Sequence, residues 1–534
     1  MDLYPIIGCA LLGAGTVALV IPLILRLAKR YGLGRGRDFH HTHKERVPRF
    51  GGLALAVAFL AVEFFVALLL PAHRSNVPGR LTVILGSLAM FAVGFWDDLQ
   101  ALGAKRKLLA QVGIALCVDY AGLGIDSLKL PLGGQVVELG GWGMVFTVVW
   151  LVGITNLMNL IDGVDGLAGG IGLMLMALLV YVGYQNGTFV FLTAGVTGSL
   201  LAFLWFNFPP ARIYLGDGGA YLVGFQIAVF SLVGSHKGTV VAALIAPLFV
   251  LALPIVDTSL AILRRGFRGL PLFRPDRRHI HHRLLATGMS RRKVVLSLYA
   301  VTLIFLVIGF AACWSRGQLM PVLLGVGVLV LLVGAGRLSL AREWLAVGRN
   351  FGNSLAVRQE VQYALSLSNW LQHEGDRCAS LDELFADLVF AGRRLGFSSI
   401  ELHLADGKRA WSLPARCRGV CFDQEVNCGD FGVLRMRAAG CLKPGACVGQ
   451  GPCQVQHRSG PPIEPDVRRS EILAELLAEG WVKAAARWRT QRRLDCAAPA
   501  AQVVGGEQGL GRAERTSGNG RLGEAAPPFS EALR

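Results

Sequence analysis

The sequence predicts an all-α polytopic membrane protein of about eleven transmembrane helices, followed by a smaller C-terminal α+β domain and a disordered tail. Three observations predict it. Hydrophobic residues make up 53% of the 534 residues and charged residues only 17%, against roughly 25% charge in soluble globular domains. Mean hydropathy is +0.50. Charge is also uneven: residues 1–340 hold 28 Lys and Arg against 14 Asp and Glu, whereas residues 341–534 hold 25 against 22. Most of the net charge of +17 therefore belongs to the apolar part, and a boundary near residue 341 follows. The balance excludes a soluble enzyme, a disordered chain and a coiled coil. The 67 glycines show no Gly-X-Y period, which excludes collagen, and glycine is common in membrane helices.

Each membrane helix needs about 20 apolar residues. Such stretches fall at 4–27, 51–71, 81–96, 108–122, 142–160, 167–184, 188–206, 220–235, 239–262, 294–313 and 318–340. Those at 81–96 and 108–122 are short. The segment 123–141 carries Gly133-Gly134 between alternating apolar positions and reads as a small hairpin. Pro22 and Arg26 end the first stretch with no small-residue cleavage site after it, so a retained helix is expected rather than a signal peptide. Basic residues in short loops set orientation. Alternate loops (26–50, 97–107, the turn near 162, 207–219 and 264–293) hold 22 Lys and Arg, and the opposite loops hold 5. The first set is expected to face the cytoplasm from the inner membrane, with the N-terminus outside and the C-terminal domain cytoplasmic.

Acids that persist near a membrane usually serve a pathway or a site. Five lie at helix ends on the side expected to be cytoplasmic: Asp97 and Asp98 in GFWDDL, Asp162 and Asp165 in NLMNLIDGVDGLAGG, and Asp217 in YLGDGGAYLVG. The loop 264–293 adds RRHIHHRLL, with His279, His281, His282 and Arg283. Asn156, Asn159, Asp162 and Asp165 recur every three residues, so the first three share one stripe of a helix. Amide and carboxylate oxygens suit a hard cation such as Mg2+, which takes few protein ligands and completes its shell with phosphate and water. The Arg/His loop and Lys105-Arg106-Lys107 offer donors to phosphate. Carboxylates, a divalent cation and basic donors are together the parts of a phosphoryl-transfer site.

Each motif alone has a plainer reading. Paired Asp at a helix end serve as a solvated cap, and HIHH has the look of a zinc site set among repelling arginines. Glu63 and Asp119 read as polar residues inside the bundle, and Asp257 as a partner that orients Arg264 and Arg265. A secondary transporter would keep its acids near the bilayer midplane, at broken helices within repeats, whereas these gather at helix ends and no half-chain repeat is visible. A tethered sensor, with its working part in the tail, leaves the membrane-face motifs unexplained.

In order along residues 1–340, HKERVPRFGG (43–52), WDDL (96–99), NLMNLIDGVDGLAGG, GDGGAYLVG, PIVDTSLAILRR (254–265) and HIHHRL resemble the polyprenyl-phosphate N-acetylhexosamine-1-phosphate transferases. These bacterial membrane enzymes start lipid-linked synthesis of O-antigen and other cell-envelope polysaccharides. HIHHRL is similar to the branch using UDP-N-acetylglucosamine, the peptidoglycan-precursor branch being the alternative. The resemblance implies transfer of GlcNAc-1-phosphate from UDP-GlcNAc to undecaprenyl phosphate with release of UMP, on Mg2+ or with Mn2+ in its place. It implies Asp97, Asp98 and Asp162 as catalytic carboxylates, Asp97 deprotonating or positioning the lipid phosphate. Asn159 and Asp217 match the metal ligands. Asp165 matches the contact to uridine, and Lys107 a lysine near the phosphates. His279, His281, His282 and Arg283 match holders of the pyrophosphate or sugar, and Asn156, Lys44 and His43 further substrate contacts. A lipid phosphate oxygen would attack the β-phosphorus directly or through an aspartyl-phosphate. Expected partners are the UDP-sugar, undecaprenyl phosphate, membrane lipid and a second copy in a homodimer, with no nucleic acid.

Residues 341–455 read as a cytoplasmic α+β domain, of GAF-like kind, with helices at 356–372 and 381–395 and a strand at 398–407. Residues 456–534 read as a mostly disordered tail with an amphipathic helix near 467–489. Eight of the eleven cysteines lie beyond residue 341, with no CxxC among them. In a reducing cytosol they are expected as thiols, with a metal site as the alternative.

Overall fold

The computed structural model describes residues 3–32, 47–69, 79–100, 102–129, 136–187, 189–235, 247–268, 284–285, 287–315, 319–337, 354–404, 407–413, 420–439 and 464–502. The chain divides into two compact units, Met1–Gln362 and Tyr363–Arg534.

In the first unit α1 (Leu3–Tyr31), α2 (Gly51–Leu69), α3 (Arg80–Leu99) and α4 (Ala104–Val118) precede a hairpin of β1 (Ser127–Lys129) and β2 (Val136–Glu138). There follow α5 (Trp142–Ile161), α6 (Leu167–Asn186), α7 (Val190–Asn207), α8 (Gly216–Ser235), α9 (Ala252–Arg268), α10 (Arg291–Trp314) and α11 (Met320–Arg337). The expected hairpin is present, antiparallel, with Leu128 opposite Val137. Eight helices among the described residues are long and apolar enough to cross a membrane: α1, α2, α3, α5, α6, α7, α8 and α10. They match eight of the eleven expected spans, and the protein is a membrane protein. The stretch expected at 108–122 differs. Its helix α4 has 15 residues and then loosens into a π-turn at Asp119–Leu123, where Gly122 turns to φ 82. Helix α9, 17 residues long, and α11, 18 residues long, are the counterparts of the other two stretches.

Helix α8 is the hub. It packs on α2, α3, α5 and α6, and 94% of its span is buried, which is why its sequence is apolar around its whole circumference rather than along one stripe. Small residues allow the close crossings expected of membrane helices, which gain little from burying apolar surface out of lipid. A Cβ on Gly52 of α2 would meet the Gly219 nitrogen at 2.3 Å, and one on Gly198 of α7 would meet the Ala10 carbonyl of α1 at 1.9 Å. At the other end of α2, Glu63 is no isolated polar residue. It receives Nε and Nη2 of Arg80 at 2.6 and 2.8 Å, so two buried charges neutralise each other.

The second unit comprises α12 (Ser354–Glu374) from Tyr363 onward, α13 (Leu381–Arg394), β3 (Ser399–Leu404), β4 (Gly407–Ser412), β5 (Val420–Asn427), β6 (Val433–Ala439) and α14 (Glu464–Gln502). The strands form one antiparallel sheet in the order β4-β3-β6-β5. Alternation sends Ile400, Leu402, Leu434 and Met436 into the core and leaves Glu401, Arg435 and Arg437 to pair across the open face. The helix expected at 467–489 is present and extends beyond those bounds. It runs for 39 residues, and Leu473, Leu477, Trp481, Ala484 and Ala485 bury its inner stripe, because these apolar residues recur at helical spacing and α13 and the sheet offer a surface for them. Gly480 and Gly375 let α12 and α14 cross at backbone distance. Of the eight later cysteines, Cys378 and Cys428 are free thiols among the described residues.

Candidate active site

The site is built where α3, α4, α5 and α8 end or begin. Helix α3 stops at Asp97-Asp98-Leu99, and the chain turns before α4 at Gly103, which sits at φ 77. That turn sends α4 back so that Lys107 faces the helix end it has just left. Lys107 Nζ lies 2.5 Å from Asp97 Oδ2 and 2.8 Å from Asp217 Oδ2, and Asp97 Oδ1 accepts the Leu102 N–H at 2.8 Å. One ammonium thus bridges carboxylates 120 residues apart in sequence. Burial works to lower the Lys107 pKa, but the hydrogen bonds and charges of Asp217 and Asp97 outweigh it and hold the ammonium above the ordinary lysine range. It is a fixed cation at neutral pH.

Asp217 stands in the first turn of α8. Its Oδ1 accepts from the Asn159 amide of α5 at 3.1 Å, and its own N–H donates to Asp98 Oδ1 at 3.0 Å. Gly218 N–H donates to Asp98 Oδ2 at 2.9 Å. Asp98 therefore caps α8 from another helix, supplying the acceptor that Leu215 cannot and placing negative charge at the positive end of the helix. Pro48, Arg49 and Phe50 line the same place: Gly51 and Gly52 N–H donate to the carbonyls of Tyr214 and Leu215, and Tyr214 N–H donates to Pro48.

The Asn156 stripe divides. Asn159 reaches Asp217, whereas the Asn156 amide donates to Gln111 of α4 at 2.6 Å and to Val152 of its own helix. Asp162 ends α5. Burial, then the negative charges of Asp217 and Asp98, push its carboxyl well above the usual range. Asp165 turns the other way. Its Oδ2 accepts the Ala211 N–H at 3.2 Å and lies 3.8 Å from Arg291 Nη1 of α10. Burial, then the charge of Asp165, pushes the nearby Tyr214 phenol up to about 12.

Asp97, Asp98, Lys107, Asn159 and Asp217 thus form one connected group, with Asp162 within electrostatic reach and Asp165 on an adjoining side with Tyr214 and Arg291. His279, His281, His282, Arg283, Lys44 and His43 lie outside the described residues. Sequence reading missed Arg49, Tyr214, Gln111 and Arg291. Arg49 and Tyr214 stood inside quoted motifs but carried no spacing signal of their own.

Residues 80–235, which contain Asp97, Asp98, Lys107, Asn159, Asp162, Asp165 and Asp217, match the model of glycosyl transferase family 4. The chain is 35% identical over 293 residues, 54% of its length and 80% of the relative, to the probable undecaprenyl-phosphate N-acetylglucosaminyl 1-phosphate transferase of Bacillus subtilis (strain 168). The chain belongs to the polyprenyl-phosphate hexosamine-1-phosphate transferases. Other relatives of this family 4 transferase include the decaprenyl-phosphate N-acetylglucosaminephosphotransferase of Mycobacterium leprae (strain TN), 35% identical over 50% of this chain and 72% of the relative. The phospho-N-acetylmuramoyl-pentapeptide-transferase of Lactiplantibacillus plantarum is 31% identical over 51% and 85%. The family match lies within the first unit.

Proposed function

We propose that this transferase moves GlcNAc-1-phosphate from UDP-GlcNAc to undecaprenyl phosphate at the cytoplasmic face of the inner membrane, releasing UMP and starting a lipid-linked cell-envelope polysaccharide. The observation that carries the reading is the Lys107 bridge between Asp97 and Asp217. It joins the helix end carrying the acid pair to the glycine-flanked helix start, and its ammonium is a charged donor to a phosphate oxygen. The two N-acetylglucosamine relatives named above share more identity with the chain than the muramoyl-pentapeptide relative, which favours UDP-GlcNAc as donor.

The donor set also fits Mg2+. Among the described residues no three His, Cys, Asp or Glu gather closely enough to hold a metal alone. Mg2+ commonly needs only one or two carboxylates and completes its shell with substrate phosphate and water. Asp217 and Asn159 would hold it, the Asn159 amide turning by half a rotation to present its oxygen, and carboxylates outnumber the cations around them. When bound, Mg2+ neutralises charge on the pyrophosphate.

The chain's own residues do the rest. Lys107 keeps Asp97 and Asp217 in register and offers positive charge where two phosphates must meet. Asp97 positions the lipid phosphate, one oxygen of which forms a bond to the β-phosphorus. The bond from that phosphorus to the bridging oxygen breaks, and UMP leaves with the electron pair. Asp162 is the remaining acid beside the group. Asp165, with Tyr214 and Arg291, borders the donor nucleotide. Both Asp98 oxygens already accept backbone N–H groups and both Asp97 oxygens have partners, which favours direct transfer over a covalent aspartyl-phosphate.

The test uses membranes containing the protein, undecaprenyl phosphate, Mg2+ and radiolabelled UDP-GlcNAc. Lipid-linked label and UMP are expected, and neither with Asp97→Asn or Asp217→Asn. Absence of label from every UDP-sugar overturns the reading. Label only from the UDP-muramoyl-pentapeptide moves it to the peptidoglycan branch.

A further inference from the structure

The turn Asp162–Gly166 and the loop Pro209–Ala211 face each other around the Asp165 carboxylate, and α10 touches both. Tyr299 Oη donates to the Gly166 carbonyl at 2.5 Å, and that carbonyl also accepts the Gly170 N–H at 2.9 Å as the first helical bond of α6. About two turns nearer the start of α10, Arg292 Nε donates to the Pro209 carbonyl at 2.7 Å, beside the Arg291 contact to Asp165. The Gly166 N–H is held separately by Asn207 Oδ1 at 2.9 Å. Gly166 sits at φ 80, a left-handed conformation in which its two flanking peptides can face different partners. A Cβ on Gly170 would lie 2.0 Å from the Tyr299 hydroxyl, so glycine is what leaves room for the ring to reach this carbonyl.

We propose that α10 is a strut for the donor-nucleotide side of the site, with Tyr299 as a positioning residue. By holding the Gly166 carbonyl it sets the direction of Asp165, and through Arg292 it sets the facing loop. This rests on the reading above that Asp165 borders the nucleotide. A residue of this kind acts on binding of the donor and not on the bond-making end, where Asp97, Lys107 and Asp217 lie on other helices.

The test compares wild type, Tyr299→Phe and Gly170→Ala as full chains in detergent, by steady-state kinetics in both substrates and by direct binding of UMP. Phenylalanine keeps the packing and removes only the donor. Alanine keeps the hydroxyl but displaces it, and would otherwise favour the helix. In both variants donor KM and UMP Kd are expected to rise about 3- to 10-fold, as for one lost hydrogen bond. The kcat should stay within about twofold and the KM for undecaprenyl phosphate should not move, a split that simple loss of packing would not give. Unchanged donor KM and UMP Kd in an active wild-type background overturn the proposal alone, as does a fall in kcat with donor KM unmoved. A wild type that transfers no sugar phosphate and binds no UMP overturns the underlying reading and the proposal with it.

Discussion

Asp98 and Asp217 meet carboxylate to backbone: Asp98 Oδ1 accepts the Asp217 N–H at 3.0 Å while Oδ2 takes the N–H of Gly218 at 2.9 Å. The start of the central helix is thus held by the end of another helix, and the Asp217 side chain is left free to face Lys107 and Asn159. Losing an N-cap acceptor costs about 1 kcal/mol. Asp98→Ala is expected to lower thermal stability in detergent by about that amount and to abolish transfer, with Asp98→Asn, which keeps one acceptor, intermediate in stability. A melting temperature equal to wild type in Asp98→Ala would show that α8 does not depend on this cap.

Backbone proximity makes a sharper prediction at Gly94. A Cβ there would stand 2.4 Å from the Asp217 carbonyl oxygen, and a helix backbone has no soft end to give way. Gly94→Ala should push α3 from α8 and reduce transfer by at least about tenfold, since misplacement of about 1 Å costs on that order or more. Gly113→Ala in α4, with nothing within 4 Å of the added Cβ, is the control and should be neutral or slightly stabilising. Equal activity in the two variants would refute the packing argument.

The Glu63–Arg80 pair is distant in role from the catalytic group. The two side chains are only 9% and 13% exposed, so removing one strands the other. Arg80→Met or Glu63→Leu should each destabilise by about 3 kcal/mol, and the double variant should recover most of that loss. Thermal melts of the four proteins test this, and the KM for the donor nucleotide-sugar should stay constant throughout.

A pH dependence follows in the second unit. Hydrogen bonds from Arg435, then Arg437, hold the Asp423 carboxyl below its ordinary value. A depressed folded pKa adds stability above the unfolded value, about 4, and that stability is lost as pH falls through the folded one. The surface setting keeps the effect modest. Asp423→Asn should melt slightly below wild type at pH 7, with the gap narrowing as the solution is acidified below the unfolded value. A gap that widens on acidification would reverse the assigned sign.

Much of the site was legible because its residues are chemically expensive where they stand. Asp97, Asp98, Asp162 and Asp217 are carboxylates at the ends of apolar helices, so their spacing announced them before any contact was known. The hairpin at 127–138 showed itself through alternation and glycine, and α12, α13 and β3 through ordinary periodicity. Other features carried no local signal. Asn156 and Asn159 look alike in sequence, three residues apart on one stripe, yet one donates to Gln111 and the other to Asp217. Tyr214 and Tyr299 are unremarkable aromatics until the turn at Gly166 gives them neighbours. The extent of α14 was hidden because its exposed face is as charged as a disordered tail, and only the partner surface makes its apolar stripe worth burying.

By itself the sequence determined the membrane class, most of the spans and which carboxylates stand at the ends of apolar helices. Hydropathy and buried charge act residue by residue, and their cost does not depend on which helix lies next door. Tertiary structure alone decided which carboxylate caps α8, which faces Lys107 and which turns toward Arg291. Those choices are set by hydrogen-bond geometry within about 3 Å, between groups that the chain separates by a hundred residues and only helix packing brings together.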